Sequence, residues 1–335
     1  MKKIILKPKR NSGFPVMALL VVLTTIATIG CTKDEWDFGK RVPPVTPITV
    51  TYVNVDEVNP LNATLYTMEG KPFFTHVIFS TATVTTDASQ KAILSYSDKV
   101  GKAFELTPQF HEKGVKVILS ITGSRCGLGF ANMDKGQIAD FVSQVKAVVN
   151  DNDLDGVDFN DDNANYGMYG FPPANSASYA EVISAMREAL GEDKLITVYD
   201  NSEGYSRHLT SVASLVDYAW SSKYGLSIDS RSRIGLANWQ YCGFSQKLNL
   251  EFASTDTYTV QQQLRQFQES NMGALMFYDL RKTPQFFSIP GQYDWQEPTE
   301  YTVTTEDVRQ ILSRTAERIF QSTVEAPDDS ELLDW

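Results

Sequence analysis

From Ile48 onward, β-branched apolar runs alternate with segments whose apolar residues recur at helical spacing. Ile48 to Val55 (ITVTYVNV) has the period-two pattern of a strand. His76 to Ser80, preceded by Phe73 and Phe74, predicts a second strand, and Gly114 to Ser120 (GVKVILS) a third. Apolar runs that do not alternate suit strands buried on both faces. In the next segment, Asp134 to Asn150, the residues Ile138, Phe141, Val142, Val145, Val148 and Val149 recur at three- and four-residue spacing, which predicts an amphipathic helix. A fourth strand begins at Leu154, followed by Leu195 to Tyr199, Val216 to Trp220, a short Arg233 to Leu236 and finally Gly273 to Tyr278.

The predicted helices fall between these strands. One broken near Gly101 lies within Val84 to His111; another starts at a Ser178-x-x-Glu181 capping box and stops at Gly191; others cover Thr259 to Ser270 and Glu306 to Phe320. Eight strands alternating with helices over 48–320 predict an α/β fold of the (β/α)8 TIM-barrel type in a single domain. Residues 321–335 then read as an acidic C-terminal tail. A doubly wound sheet is disfavoured, because no Gly-rich phosphate turn follows the first strand.

The N-terminus lies outside this pattern. Lys2, Lys3, Lys7, Lys9 and Arg10 precede a short apolar run, Met17 to Ile29, and Thr28-Ile29-Gly30-Cys31 reads as an approximate lipobox. The expectation is a lipoprotein signal peptide over 1–30, a lipidated Cys31, and a Pro-rich tether over 31–47. A transmembrane anchor would want about 18 or more apolar residues. The acidic patch behind Cys31 resembles the export tag of surface lipoproteins, giving an outer-membrane lipoprotein facing the cell exterior as the expected location. Processing would remove five positive charges and no negative ones, taking the net charge from -11 to -16. So acidic a chain argues against a nucleic-acid partner and suits a neutral ligand. Cys126 and Cys242 remain; an oxidising compartment would allow a disulfide, but the predicted order puts them after different strands, and free thiols are expected.

The chemistry concentrates in Leu154 to Gly167 (LDGVDFNDDNANYG). Side chains two apart on a strand share a face, so Asp158, Asn160 and Asp162 should point one way and Val157 and Phe159 the other. Polar groups on an apolar strand are costly to bury without a partner. Three His with no ligand spacing predict no metal site, and there is no Gly-x-Ser-x-Gly elbow. No cofactor is implied.

This stretch resembles glycoside hydrolase family 18, whose hallmark is Asp-Gly-x-Asp-x-Asp-x-Glu at the end of the fourth barrel strand. Its longer form, with Tyr166-Gly167, is similar to the endo-β-N-acetylglucosaminidase branch of endoglycosidase H and F type. Gly114 to Met133, Val216 to Gly225 and Phe277 to Leu280 resemble that branch's third, sixth and eighth strands, extending the likeness over about Ile48 to Leu280. Two positions depart from the pattern: Asn160 stands where the family has its last Asp, and Asp162 where it has the catalytic Glu.

The resemblance implies substrate-assisted hydrolysis, in which the substrate's N-acetyl oxygen attacks, the Glu protonates the leaving oxygen and the preceding Asp balances the developing charge. Asp162 is one methylene short, about 1.5 Å, and Asn160 carries no charge. Asp158, Asn160 and Asp162 therefore form a degenerate catalytic set. Thr122, Asn163, Tyr166, Tyr199, Trp220, Tyr224, Trp239 and Tyr278 are the candidate glycan contacts, Trp220 foremost among the aromatics. Asp155 and Asp161 read as structural. The expected function is a cell-surface protein holding N-acetylglucosamine-containing glycans, N-glycans above all, for other glycan-uptake proteins. The alternative is a working endo-β-N-acetylglucosaminidase with Asp162 as its acid.

Overall fold

The computed structural model describes residues 46–200, 205–221, 228–248, 257–278, 280, 285–287, 299–301 and 303–335. Parallel strands form a ring in chain order: Ile48–Asn54, His76–Thr86, Lys116–Gly123, Gly156–Asn160, Leu195–Asp200 and Tyr218–Ser221, with Ala274–Tyr278 beside the first. The seventh strand is split. Tyr241–Cys242 pairs with the sixth and Ser245–Lys247 with the eighth, so one interrupted strand joins the ring. The fold is a (β/α)8 barrel.

Two apolar layers follow from the strands' alternation. Val157 and Phe159 face outward into the large core between strands and helices, where Phe159 lies 5.1 Å from Phe130 edge to face. Inside the ring sit Val50, Tyr52, Ile78, Ile118, Tyr199, Trp220, Cys242, Ala274 and Met276. The Lys135–Asp151 helix buries Ile138, Phe141, Val142, Val145 and Val149, its first turn closed by a capping box between Asp134 and Gln137.

Several expectations are corrected. Val84 to Ser95 is not helical: His76–Thr86 runs on and Ala92–Ser95 returns antiparallel to it, because Thr-Ala-Thr-Val-Thr-Thr alternates like a strand. Gly101 lies within a helix, Asp98–Phe104; the break falls at Glu105-Leu106, before Pro108 in the first turn of Thr107–Glu112. Arg233 to Leu236 forms no strand; the seventh strand is the later Tyr241 to Lys247 segment, in which Cys242 itself sits. Ser178 does not cap its helix, since its hydroxyl donates to the Phe130 and Met133 carbonyls. Asn175 Oδ1 takes the cap instead, accepting from the Ala177 and Ser178 amides at 2.9 Å. Cys126 and Cys242 are free thiols.

Residues 321–335 do not trail away. Glu325 pairs with Thr67 through two main-chain hydrogen bonds, while Asn59 and Asn62 bind the main chain of Leu333 and Asp334. At the opposite end of the fourth strand from the mouth, Asp155 accepts from the Val117 amide at 2.7 Å and meets His111 at 2.9 Å. No helix among the described residues is long and apolar enough to cross a membrane; Cys31 and the segment before it lie outside them.

Candidate functional site

Asp158 is fully buried inside the barrel. Its Oδ2 accepts from Tyr52 Oη at 2.6 Å and Ser120 Oγ at 3.0 Å; its Oδ1 accepts from Thr197 Oγ1 at 2.7 Å and Trp220 Nε1 at 3.2 Å. The four donors come from the first, third, fifth and sixth strands, so one carboxyl group ties together half the ring. Burial raises the Asp158 pKa, against the pull of all four hydrogen bonds. Burial and the neighbouring carboxylate likewise push the Tyr52 phenol up, which keeps it a donor. Sequence reading missed Tyr52, Ser120 and Thr197; the available signal was a polar side chain at an inward position of an otherwise apolar strand.

Trp220 was expected at the mouth. Instead its indole is fully buried, and Nε1 also reaches Tyr52 Oη at 2.9 Å. It is part of the floor, because the sixth strand ends one residue later at Ser221 and the inward position leaves the ring within the barrel. Tyr199 is buried in the same inner layer, and Tyr278 is partly exposed at the end of the eighth strand, 5.8 Å from Tyr52 edge to face.

Asn160 is the last residue of the fourth strand, and its Oδ1 is buried with no hydrogen-bond partner among the described residues. Asp162 lies just beyond the strand, partly exposed. Its main-chain carbonyl accepts from Thr122 Oγ1 and from the Gly123 amide, both at 2.9 Å. Thr122 is thus an anchor for the strand-four loop, with its hydroxyl used in that bond. Gly123 has to be glycine, since a Cβ there would stand 2.5 Å from the Ala164 main chain.

The loop then turns sharply. Asn163 and Asn165 adopt left-handed conformations, φ 61° and 57°, which asparagine tolerates better than most residues. Asn163 is exposed, and its carbonyl accepts from the Arg125 amide. Tyr166, expected to face a glycan, turns inward instead. Its hydroxyl donates to Asp161 Oδ1 and accepts from the Ala131 amide at 3.0 Å. Asp161 Oδ2 accepts from the Tyr205 amide at 3.1 Å. Burial pushes the Asp161 carboxyl up to about 7, with Asp162 adding to the rise and the two hydrogen bonds opposing it. This buried clasp joins the loops after the third, fourth and fifth strands.

Trp239 is at the wrong end. Its carbonyl crowds Gly273, directly before the eighth strand, and the Gly273 amide donates to Asn238 O. The displacement follows from the seventh strand, which begins after Trp239 rather than before it. Tyr241 and Phe244, within the split seventh strand, are buried. Tyr224 lies outside the described residues. Among the described residues no group of His, Cys, Asp and Glu could hold a metal ion.

Residues 48–283 match the model for glycosyl hydrolases family 18. The chain belongs to this family. It is 35% identical over 189 residues to an endo-β-N-acetylglucosaminidase of Flavobacterium sp. (strain SK1022), covering 53% of this chain and 59% of that protein. It is 30% identical over 248 residues to endo-β-N-acetylglucosaminidase F1 of Elizabethkingia meningoseptica, covering 68% and 70%. The chain therefore spans less than two thirds of the first relative's length. Its fold is similar to that of Bacteroides thetaiotaomicron EndoBT-3987 in complex with Man9GlcNAc2Asn, with TM-score 0.64 at 20% identity over 84% of this chain and 68% of that one. A Rhizomucor miehei chitinase gives TM-score 0.52 at 15% identity over 69% and 94%. At such identities the structural likeness is one of fold. Within this family 18 chain, Asp158 and Asn160 lie on the fourth strand and Asp162 just beyond it.

Proposed function

We propose that this protein holds N-acetylglucosamine-containing glycans, N-glycans in particular, on a family 18 barrel whose hydrolytic pair has been lost. The observation that carries this reading is the buried Oδ1 of Asn160, which has no hydrogen-bond partner among the described residues. An orphaned buried acceptor costs about 1–3 kcal/mol, and an acetamido N–H of a bound sugar would satisfy it. Being neutral, Asn160 supports binding without stabilising a positive oxazolinium ion, and one lost electrostatic contact of that kind commonly costs ~3–4 kcal/mol in the transition state.

Asp162 keeps a carboxyl group but lacks reach. Two hydrogen bonds hold its carbonyl, so the main chain is not free to advance and make up the missing methylene. A general acid works within about 2.6–3.2 Å of the atom it protonates, and about 1 Å of misplacement can cost roughly a hundredfold. The named relatives, endo-β-N-acetylglucosaminidases, and the Man9GlcNAc2Asn complex of EndoBT-3987 support this ligand class.

The retained carboxyl of Asp162 supports a second reading, an active endo-β-N-acetylglucosaminidase cleaving the chitobiose core. Under either reading, the lipobox at Thr28 to Cys31 supports a lipid-anchored protein of the outer membrane, facing outward and passing glycans to uptake partners. To separate the two, the protein is incubated with a high-mannose glycoprotein while bound and released glycan are both followed. Binding without release is the expected result; turnover at an ordinary enzyme rate would establish the second reading instead.

A further inference from the structure

On the third-strand side, the loop that carries Asp162 is held by main-chain bonds. The Gly123, Arg125 and Gly127 amides donate to the carbonyls of Asp162, Asn163 and Ala164 at 2.9, 2.6 and 2.9 Å. On the fifth-strand side it is met through Asp161, whose Oδ2 accepts from the Tyr205 amide at 3.1 Å and whose Oδ1 accepts from the Tyr166 hydroxyl. The Tyr166 and Tyr205 rings close the same seam edge to face at 5.0 Å, and His208 stacks on Tyr205 at 5.8 Å.

A carboxyl group is unexpected at this position. Asp161 continues the outward alternation of Val157 and Phe159, both fully buried, and is itself only 6% exposed. An apolar side chain would fill the space without the cost of burying a charge. What the carboxylate adds is an acceptor for two donors from different loops, and charge-assisted hydrogen bonds are the stronger kind. Asp161 also stands between Asn160 and Asp162 in the chain, so a shift of its main chain moves both.

We infer that Asp161 is a positioning residue for the glycan site, its carboxylate holding the segment after the fifth strand against the Asn160–Asp162 corner through Tyr205 and Tyr166. This rests on the glycan-holding reading above and adds to it the condition under which the site is set. In the ionised carboxylate both oxygens accept, which matches the two donors. Protonation places a further hydrogen among donors and weakens the hold.

Burial raises this carboxyl to about 7, so both forms are populated near neutrality. On its own segment it is faced by Asp162, which adds to the rise, and by Tyr166, whose hydrogen bond opposes it. The Ser178–Leu190 helix contributes Tyr179, whose phenol is held well above its usual range by burial and then by Asp161, with Asp200 at the end of the fifth strand adding to the effect. Tyr205 and His208 follow that strand. From the third-strand loop, the Ala131 amide reaches Tyr166, and Arg125 reaches Asn163 Oδ1 at 3.4 Å. Since the ionised form grips, affinity is full above 7 and falls as the pH drops through it.

The test titrates the full-length protein calorimetrically between pH 6 and 8 with a high-mannose glycan ending in a single N-acetylglucosamine, which has no chitobiose bond to cleave. Over that range the ionised fraction falls from about nine-tenths at the alkaline end to about one-tenth at the acid end, so wild-type affinity should fall by about tenfold. Asp161→Asn should bind weakly throughout, with a flat profile. Tyr166→Phe removes a bond that lowers the Asp161 pKa, so its midpoint should move upward. His208→Gln should keep the wild-type profile. A flat wild-type profile, or Asp161→Asn binding as tightly as wild type at pH 8, would overturn the positioning role and leave the glycan-holding function intact. A slope kept by Asp161→Asn would assign the titration to another group, His208 if His208→Gln removes it, and would also overturn the role. Failure of wild type to bind the glycan at every pH would overturn both.

Discussion

Thr122 Oγ1 donates to the main-chain carbonyl of Asp162 at 2.9 Å, and the adjacent Gly123 amide donates to the same oxygen. The third strand thereby fixes the starting point of the Asp162 side chain. Whatever that carboxyl group can reach is decided by its own length.

Restoring charge and reach together should restore chemistry. Asn160→Asp with Asp162→Glu is expected to raise glycan release from a high-mannose glycoprotein by a hundredfold or more, since ~1 Å of misplacement alone costs about that much. Because both groups serve one step, each single substitution should give less than its share. Release assays on the two single variants and the double variant check this. No gain in the double variant would mean that the rest of the pocket has diverged too.

Asp158→Ala should be among the most damaging changes in the chain. It removes the acceptor that Tyr52, Ser120, Thr197 and Trp220 share, orphaning the Tyr52 and Ser120 hydroxyls and leaving Trp220 Nε1 only Tyr52 Oη and Thr197 Oγ1 only the Val157 carbonyl. Each orphaned donor costs about 1–3 kcal/mol before relaxation, so a loss of several kcal/mol is expected in urea unfolding. Trp220→Phe removes one donor and should cost much less. Similar losses for the two variants would mean that the carboxyl group is not the hub.

The Asp161 clasp predicts a pH signature. Its carboxyl titrates near 3.8 when unfolded and near 7 when folded. A group with a raised folded pKa imposes no penalty below 3.8, where it is protonated in both states. As pH rises toward 7 the unfolded state ionises first, so wild type loses stability over that window and levels off above it. At about 1.4 kcal/mol per unit, the effect amounts to a few kcal/mol. Asp161→Asn should lack this slope, as read from unfolding midpoints between pH 4 and 8. Parallel curves for the two proteins would refute the assignment.

Trp239→Ala serves as the contrasting case. Trp239 sits beside Gly273 at the closed end of the barrel. Its loss should lower stability by about 1–3 kcal/mol, in the usual range for a packing defect, and leave glycan affinity unchanged in calorimetry. A selective loss of affinity would put Trp239 back at the mouth.

By itself, the sequence determined the barrel and the position of its central motif. β-branched runs separated by amphipathic segments leave few other ways to bury both faces of so many strands, and period-two alternation fixed Val157 and Phe159 outward and Asp158 inward. Only the tertiary structure decided what each aromatic does. Trp220, Tyr166 and Trp239 look alike in a chain of residues, but hydrogen bonds between distant strands turn the first into a floor and the second into a clasp, and a shift in where the seventh strand begins sends the third to the far end. Tyr52 and Asp158 lie 106 residues apart, a separation that local pattern does not bridge. The same holds for Trp335 and Val55, brought together when Asn59 and Asn62 capture the main chain beside Trp335.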